Sequence, residues 1–173
     1  MINYSLIKGS FTRKDLINAS KFSEAFFHTA DNPFQMPEKE LTYKFFTKHF
    51  PLSTNIIYDK NKVIGHTFVL PCDKKNMICF LKGKITEKEL FYLIKDSIPK
   101  KQYSCLYFVS SLIKPKYRRK GYTMKARIMQ IKEYQKILGK NLTLFSWPFS
   151  KEGYKFGKKL AKKLKLKILF KKY

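Results

Sequence analysis

At 173 residues, with an apolar share of 44%, the chain can bury a sizeable core; it is neither a disordered tail nor a mini-protein that needs a metal or disulfide staple. Its net charge of +25 is nearly all lysine, the only arginines being Arg13, Arg118, Arg119 and Arg127, so it offers few of the planar forks that read bases, and the charge implies nonspecific, salt-sensitive attraction to polyanions. Cys72, Cys79 and Cys105 lack paired metal-ligand spacing and read as buried thiols in a reducing compartment; with no apolar signal core in residues 1–10 and no run of membrane-spanning length, a cytoplasmic location, no membrane span and no metal are expected.

Thr12-Arg13-Lys14-Asp15 has the spacing of a capping box ended by aspartate. Leu16, Ala19, Phe22 and Phe26 follow at helical intervals, predicting a first helix that Asp31-Asn32-Pro33 breaks. Pro37-Glu38-Lys39-Glu40 opens a second, with Leu41, Phe45 and Phe46 inward and Pro51 at its end. Residues 54–58 and 62–70 flank Asp59-Lys60-Asn61 as a β-hairpin. Residues 71–83 read as a mixed polar and apolar connection, after which Thr86 and Glu89 form a capping box before Leu90, Phe91, Leu93 and Ile94. Cys105–Ile113, rich in β-branched and aromatic residues, predicts a buried strand.

Next comes the stretch that organises the chain, Pro115-Lys116-Tyr117-Arg118-Arg119-Lys120-Gly121-Tyr122-Thr123. Met124, Ile128, Ile131 and Tyr134 then recur at helical spacing, with Ile137 and Leu138 closing the face before Gly139. The basic turn therefore joins a strand to a helix N-terminus, where unpaired N–H groups and the helix dipole favour a phosphate and Gly121 permits close approach or positive φ. Residues 141–147 predict another strand, stopped by Pro148. Ser150 caps a helix through Glu152, Phe156, Leu160, Ala161 and Leu164, with Lys158, Lys159, Lys162 and Lys163 on its wet side. Lys167–Phe170 is a last strand, and without repeat or linker a single domain over residues 1–173 is expected.

The basic turn resembles the acetyl-CoA-binding motif of the GNAT superfamily of N-acetyltransferases, Arg/Gln-x-x-Gly-x-Gly/Ala preceded by Val-x-Pro-x-Tyr/Phe. Ile113-Lys114-Pro115-Lys116-Tyr117 matches the approach and Arg118 to Tyr122 the loop, whereas Thr123 stands where the family prefers Gly or Ala. Val63-Ile64-Gly65 is similar to the family's Val-x-Gly strand, and the region from about 71 to 103 is longer than the family's usual connection. The resemblance implies an α/β fold of GNAT type, a mixed twisted sheet with helices on both faces. It also implies an acetyl-CoA-dependent N-acetyltransferase whose acceptor, a small-molecule or protein amine, the sequence does not identify. By position, Ser111, Leu112 and Ile113 would pair with the pantetheine arm. Backbone N–H groups from Arg119 to Thr123, including Gly121 and Tyr122, would hold the pyrophosphate, with Arg118, Arg119 and Lys120 as countercharge.

The family's tyrosine acid is where the resemblance fails. One register of its helix pattern puts Ala161 at the tyrosine and Tyr154 at the asparagine; the other puts Gly157 and Ser150 there. Tyr154 is then the candidate acid, one turn away, and Glu152, His66 and His28 are the candidate bases, while His49 reads as structural. The alternative is a noncatalytic module of the same fold that binds CoA or a polyanion through the lysine-rich C-terminal half, where Glu133 and Glu152 are the only acids after Asp96.

Overall fold

The computed structural model describes residues 1–9, 11–27, 34, 42, 44–45, 48–97 and 103–172. One sheet organises them: β1 (Ile2–Tyr4), β2 (Thr54–Asp59), β3 (Lys62–Cys72), β4 (Cys105–Ile113), β5 (Thr143–Ser146) and β6 (Lys167–Phe170), lying side by side in chain order. The first four are antiparallel to their neighbours, and β5 and β6 continue parallel to β4. Around them lie α1 (Ser5–Lys8), α2 (Arg13–Phe27), α3 (Lys74–Leu81), α4 (Glu87–Asp96), α5 (Tyr122–Leu138) and α6 (Lys151–Leu164), with one-turn 3-10 segments at Pro51–Ser53 and Pro115–Tyr117. The mixed sheet with helices on both faces is the expected architecture.

Local chemistry starts the helices where the sequence places them. Thr12 and Asp15 exchange bonds at the head of α2, Thr86 and Glu89 form the reciprocal box of α4, and Ser150 Oγ accepts from Gly153 N–H at the start of α6. The structure departs from the expected elements in three places. The 71–83 connection contains α3, because the Asp73 carboxylate takes the Asn76 N–H and lets Met77 and Phe80 turn into the core. The edge strand β1 and the short α1 also went unforeseen. On α5, Ile131 and Tyr134 are buried and Met124, Ile128 and Leu138 pack beside them as expected, but Ile137 is 66% exposed, and the buried face also takes in Ala126, Arg127 and Gln130. The break at Asp31-Asn32-Pro33, the start of the second helix at Pro37, and Leu41 and Phe46 fall outside the described residues; Phe45 is buried against Phe50 and Phe91.

The two faces of the sheet differ in what fills them. Against α3 and α4 lies an aromatic cluster of Phe80, Phe91, Tyr107 and Phe145, in which the Tyr107 hydroxyl donates to Glu87 Oε1 at 2.7 Å. Each such ring contributes roughly 1.5–3 kcal/mol through burial. Against α5 and α6 the strands present Val69, Leu106, Phe108 and Leu144. There a polar seam is threaded through the core: Gln130 Nε2 donates to the carbonyls of Ser53 and Thr67, Asn55 Nδ2 to the carbonyl of Ala126, and Ser53 and Tyr134 share a bond of 2.5 Å between their hydroxyls. These bonds satisfy each buried group and fix α5 in one register on β2 and β3.

Candidate active site

β4 is the longer partner of its parallel neighbour. β5 pairs with it only from Cys105↔Thr143 to Phe108↔Ser146, and Pro148 then leads the chain away, whereas β4 runs on to Ile113. On its other side β4 stays paired with β3 throughout, interrupted by a bulge at Val109. The bulge turns Val109 and Ser110 to the same face: Val109 packs under α2 and Ser110 Oγ lies 3.2 Å from His66 Nε2.

Beyond the bulge the antiparallel ladder decides which backbone groups are available. Lys114 N–H donates to Ile64 O at 2.8 Å, so by alternation Leu112 and Ser110 turn their N–H and C=O groups towards β3. Ser111 and Ile113 turn theirs to the side β5 has left. Of the three strand residues named from sequence, two therefore face the opening and Leu112 faces the ladder. The close β3–β4 approach explains Gly65, where an added Cβ would stand 2.5 Å from the Leu112 carbonyl oxygen.

The strand leads through the 3-10 turn into the basic loop. Tyr117 anchors that turn by donating to Asp59 Oδ2 at 2.8 Å, a bond that, with the nearby N-terminal ammonium, holds the Asp59 carboxyl below the usual range. Arg119 and Gly121 both take left-handed φ, of 62° and 76°, on either side of Lys120. Such a pair turns successive N–H groups towards a common point. Gly121 is the N-cap of α5 with no side-chain cap bond, so the first N–H groups of the helix are left for an incoming acceptor. The loop's cations lean on rings: Arg118 lies 5.8 Å from Phe26, and Lys116 and Lys120 lie 5.0 and 5.9 Å from Tyr117. Thr123, half-buried in the first turn, adds its side chain without breaking the helix start.

Opposite α5, the end of α2 closes over the same region. Phe27 meets Phe149, from the loop after β5, with ring centroids 5.2 Å apart. His66 is wholly buried here, its Nε2 within 2.9 Å of Ser23 Oγ and its ring stacked on Phe68. Burial first, and the charge of Arg127 second, push its pKa down to about 3, so His66 is neutral and a weak base at neutral pH. Tyr154 lies against Phe170 of the edge strand β6, ring centroids 4.4 Å apart, with Lys158 over its face. Glu152 is exposed on the first turn of α6, His49 is exposed beside Phe45, and His28 lies outside the described residues. Strand edge, loop and helix N-terminus thus follow one another along the chain, while the described contacts of Tyr154 are to Phe170 and Lys158 and Glu152 is exposed.

Arg127, whose position just beyond the basic loop suggests from sequence a phosphate contact, is instead a core residue. It is 1% exposed and donates to the carbonyls of Phe68 at 2.6 Å and Ser110 at 2.5 Å and to Ser111 Oγ, with Phe108 at 4.6 Å beneath it. The signal was present: Arg127 falls on the helical stripe of Ile131 and Tyr134, where a charge is out of place.

The fold is that of the GNAT-type acyltransferases. No family model matches the sequence, and no curated protein does. Among solved structures, an aminoglycoside acetyltransferase from an uncultured soil metagenomic sample, seen with trehalose, matches with a TM-score of 0.53 and 13% identity over 95% of this chain and 86% of that one. The same enzyme with sisomicin matches over 92% and 86%, at the same TM-score and identity. The loading GNATL domain of CurA from Lyngbya majuscula matches at 0.47 and 12% identity over 80% of this chain, which spans 61% of that domain's length. Among the described residues no helix is long and apolar enough to cross a membrane, and no cluster of metal-ligating side chains occurs.

Proposed function

We propose that the chain is an acetyl-CoA-dependent N-acetyltransferase acting on an amine, and that the cofactor occupies the opening between β4 and β5. The carrying observation is the coincidence of an unpaired strand edge at Ser111 and Ile113 with an uncapped helix N-terminus one short loop away. Both halves suit the ligand chemically: an amide-bearing arm adds to a strand edge, and a pyrophosphate needs convergent N–H groups with countercharge. Acetyl-CoA, when bound, supplies an acetyl group activated as a thioester.

In this reading Ile113 pairs with the pantetheine amides and fixes their direction, with Leu112 holding the strand to β3 from behind. N–H groups from Arg119 through Gly121 and Tyr122 to Thr123 carry the pyrophosphate, with Arg118, Arg119 and Lys120 as countercharge. Ser111 N–H points at the acyl carbonyl oxygen and stabilises the negative charge that develops there as a neutral amine attacks. A C–N bond forms and the C–S bond breaks; the ammonium proton leaves to water, and the thiolate departs as a tolerable leaving group without a dedicated acid. The aromatic end of α2 with Phe149 would border the acceptor's approach.

The test is melting temperature with and without acetyl-CoA, at high salt, for the wild type and Gly121→Glu. A ligand that binds only the native state raises the melting temperature by mass action. The expected result is a rise in the wild type that a folded Gly121→Glu loses, followed by turnover with a panel of amines including aminoglycosides, polyamines and peptide N-termini. No rise at saturating acetyl-CoA would sink the reading.

A further inference from the structure

Arg127 sits where a core side chain is expected and is not neutralised in the ordinary way. Its bonds in the structure run to two carbonyls and a hydroxyl, all uncharged, and its Nε has no partner among the described residues. Among the described residues the side chains against it are Phe108 and Ser111 of β4, and the neutral His66 of β3, on the α2 side of the sheet, feels its charge. Burial lowers its pKa to about 9, which leaves it charged at neutral pH. An apolar side chain of similar volume would avoid the desolvation of a guanidinium, so stability alone does not account for an arginine here.

Its position supplies the account. The guanidinium fork spans β3 and β4 at the rung of Phe68 and Ser110, immediately past the Val109 bulge and two residues beyond the last β5 pairing. The Ser110 carbonyl and the Ser111 N–H belong to one planar, trans peptide group, so the two point in opposite directions. With the carbonyl on the β3 side, the N–H faces the opening. A cation bonded to the carbonyl end withdraws electron density from the amide and makes its N–H a stronger donor. The same nitrogen, Nη2, also holds Ser111 Oγ on the α5 face, away from the opening.

We propose that Arg127 is a positioning residue for acyl transfer: by gripping the Ser110 carbonyl it aims and strengthens the Ser111 N–H as the donor to the acyl carbonyl oxygen. The inference rests on the acetyl-CoA reading above, and its failure is separable from the failure of that reading. A lysine could supply the charge but not the two-carbonyl fork, so Arg127→Lys should preserve charge and lose direction.

The experiment compares CoA, which has no acyl carbonyl, with acetyl-CoA labelled with 13C at that carbonyl, on the wild type, Arg127→Met and Arg127→Lys. The readouts are affinity by calorimetry and the infrared band of the bound thioester carbonyl. We expect Arg127→Met to bind CoA as the wild type does and to shift the carbonyl band to higher frequency. Once an acceptor is found, kcat should fall about tenfold with the KM for acetyl-CoA little changed, a part of what loss of a whole oxyanion donor costs. Arg127→Lys should lie between. A purely structural role would weaken CoA and acetyl-CoA binding alike and leave the band in place, which overturns the proposal. Should both variants fail to fold, amide NMR of the wild type decides: the Ser111 proton moves downfield with acetyl-CoA and not with CoA, and equal shifts overturn the proposal. If neither ligand binds the wild type, the acetyl-CoA reading and this inference fall together.

Discussion

The two halves of β4 are one continuous strand with opposite surroundings. From Cys105 to Phe108 it is flanked by β3 and β5, and Tyr107 is packed among Phe80 and Phe145. From Val109 to Ile113 it keeps only β3, and its neighbours become Ser23, His66 and Arg127. The lower half is apolar except for one satisfied tyrosine–glutamate pair; the upper half is lined by polar groups and ends in an open edge. An unpaired strand edge is a liability that folded proteins usually cover. Here the bulge, the arginine fork and the close contact at Gly65 brace that edge, with which no described strand beyond β3 pairs. On the proposed function, stability and cofactor binding would be divided along a single strand.

That division is open to breaking from either end, most forcefully from below. Phe145→Ala removes a fully buried ring from the lower half and should cost about 3–5 kcal/mol, read as a fall in the urea midpoint at unchanged slope. If the loss stays below about 1 kcal/mol, the lower half is not the foundation described. Gly65→Ala acts at the junction. Its Cβ would press on the Leu112 carbonyl oxygen, backbone that cannot yield cheaply, so a loss of roughly 1–3 kcal/mol is expected. Because the displaced segment is the upper half, acetyl-CoA affinity should fall more than the stability loss explains.

The polar half should also be the pH-sensitive half. His66 has a folded pKa pushed down to about 3, below its unfolded value near 6.5, so the unfolded chain binds the extra proton between those limits. Stability is therefore complete above about pH 6.5 and declines as the pH falls, by at most about 1.4 kcal/mol per pH unit from this group. His66→Asn should flatten that dependence between pH 5 and 6.5 in urea titrations; an unchanged slope would assign it elsewhere. Gly121→Ala comes next in size. Open space surrounds the new methyl, so the effect reduces to left-handed backbone strain, roughly 1–2 kcal/mol, and any larger loss of acetyl-CoA binding reports on the loop's geometry.

What the sequence disclosed follows the same line. Elements set by local signals were legible: the Thr86–Glu89 box, the Ser150 cap, the alternation and β-branching of Cys105–Ile113, and the glycine-bearing turn before α5. Elements set by partners were not. β1 is three residues whose strand character comes from pairing with β2, and α3 starts from an aspartate cap that a preceding strand residue obscured. The face of α5 was legible in part: Ile131 and Tyr134 stand out at helical spacing, whereas Arg127 and Gln130 do not, because apolar periodicity passes over buried polar groups whose partners lie 16 to 78 residues away. The point at which β5 stops pairing with β4 was equally hidden, since it depends on a partner strand and not on local signals.

Tyr154 is the candidate acid whose described contacts lie on β6 and α6, and its expected effect is the smallest. Its ring rests on Phe170 of β6, the strand on the far side of β5 from β4, and the residue is 38% exposed. Tyr154→Phe keeps the ring contact with Phe170 and the face that Lys158 covers. Removing the hydroxyl should therefore leave stability within about 0.5 kcal/mol and kcat within about twofold, as for a surface substitution. A general acid contributes on the order of 100-fold or more, so a fall of that size, with a pH profile that loses its alkaline limb, would show that α6 moves Tyr154 to the departing thiolate during turnover. That result would also extend the proposed site across β5 to β6 and α6.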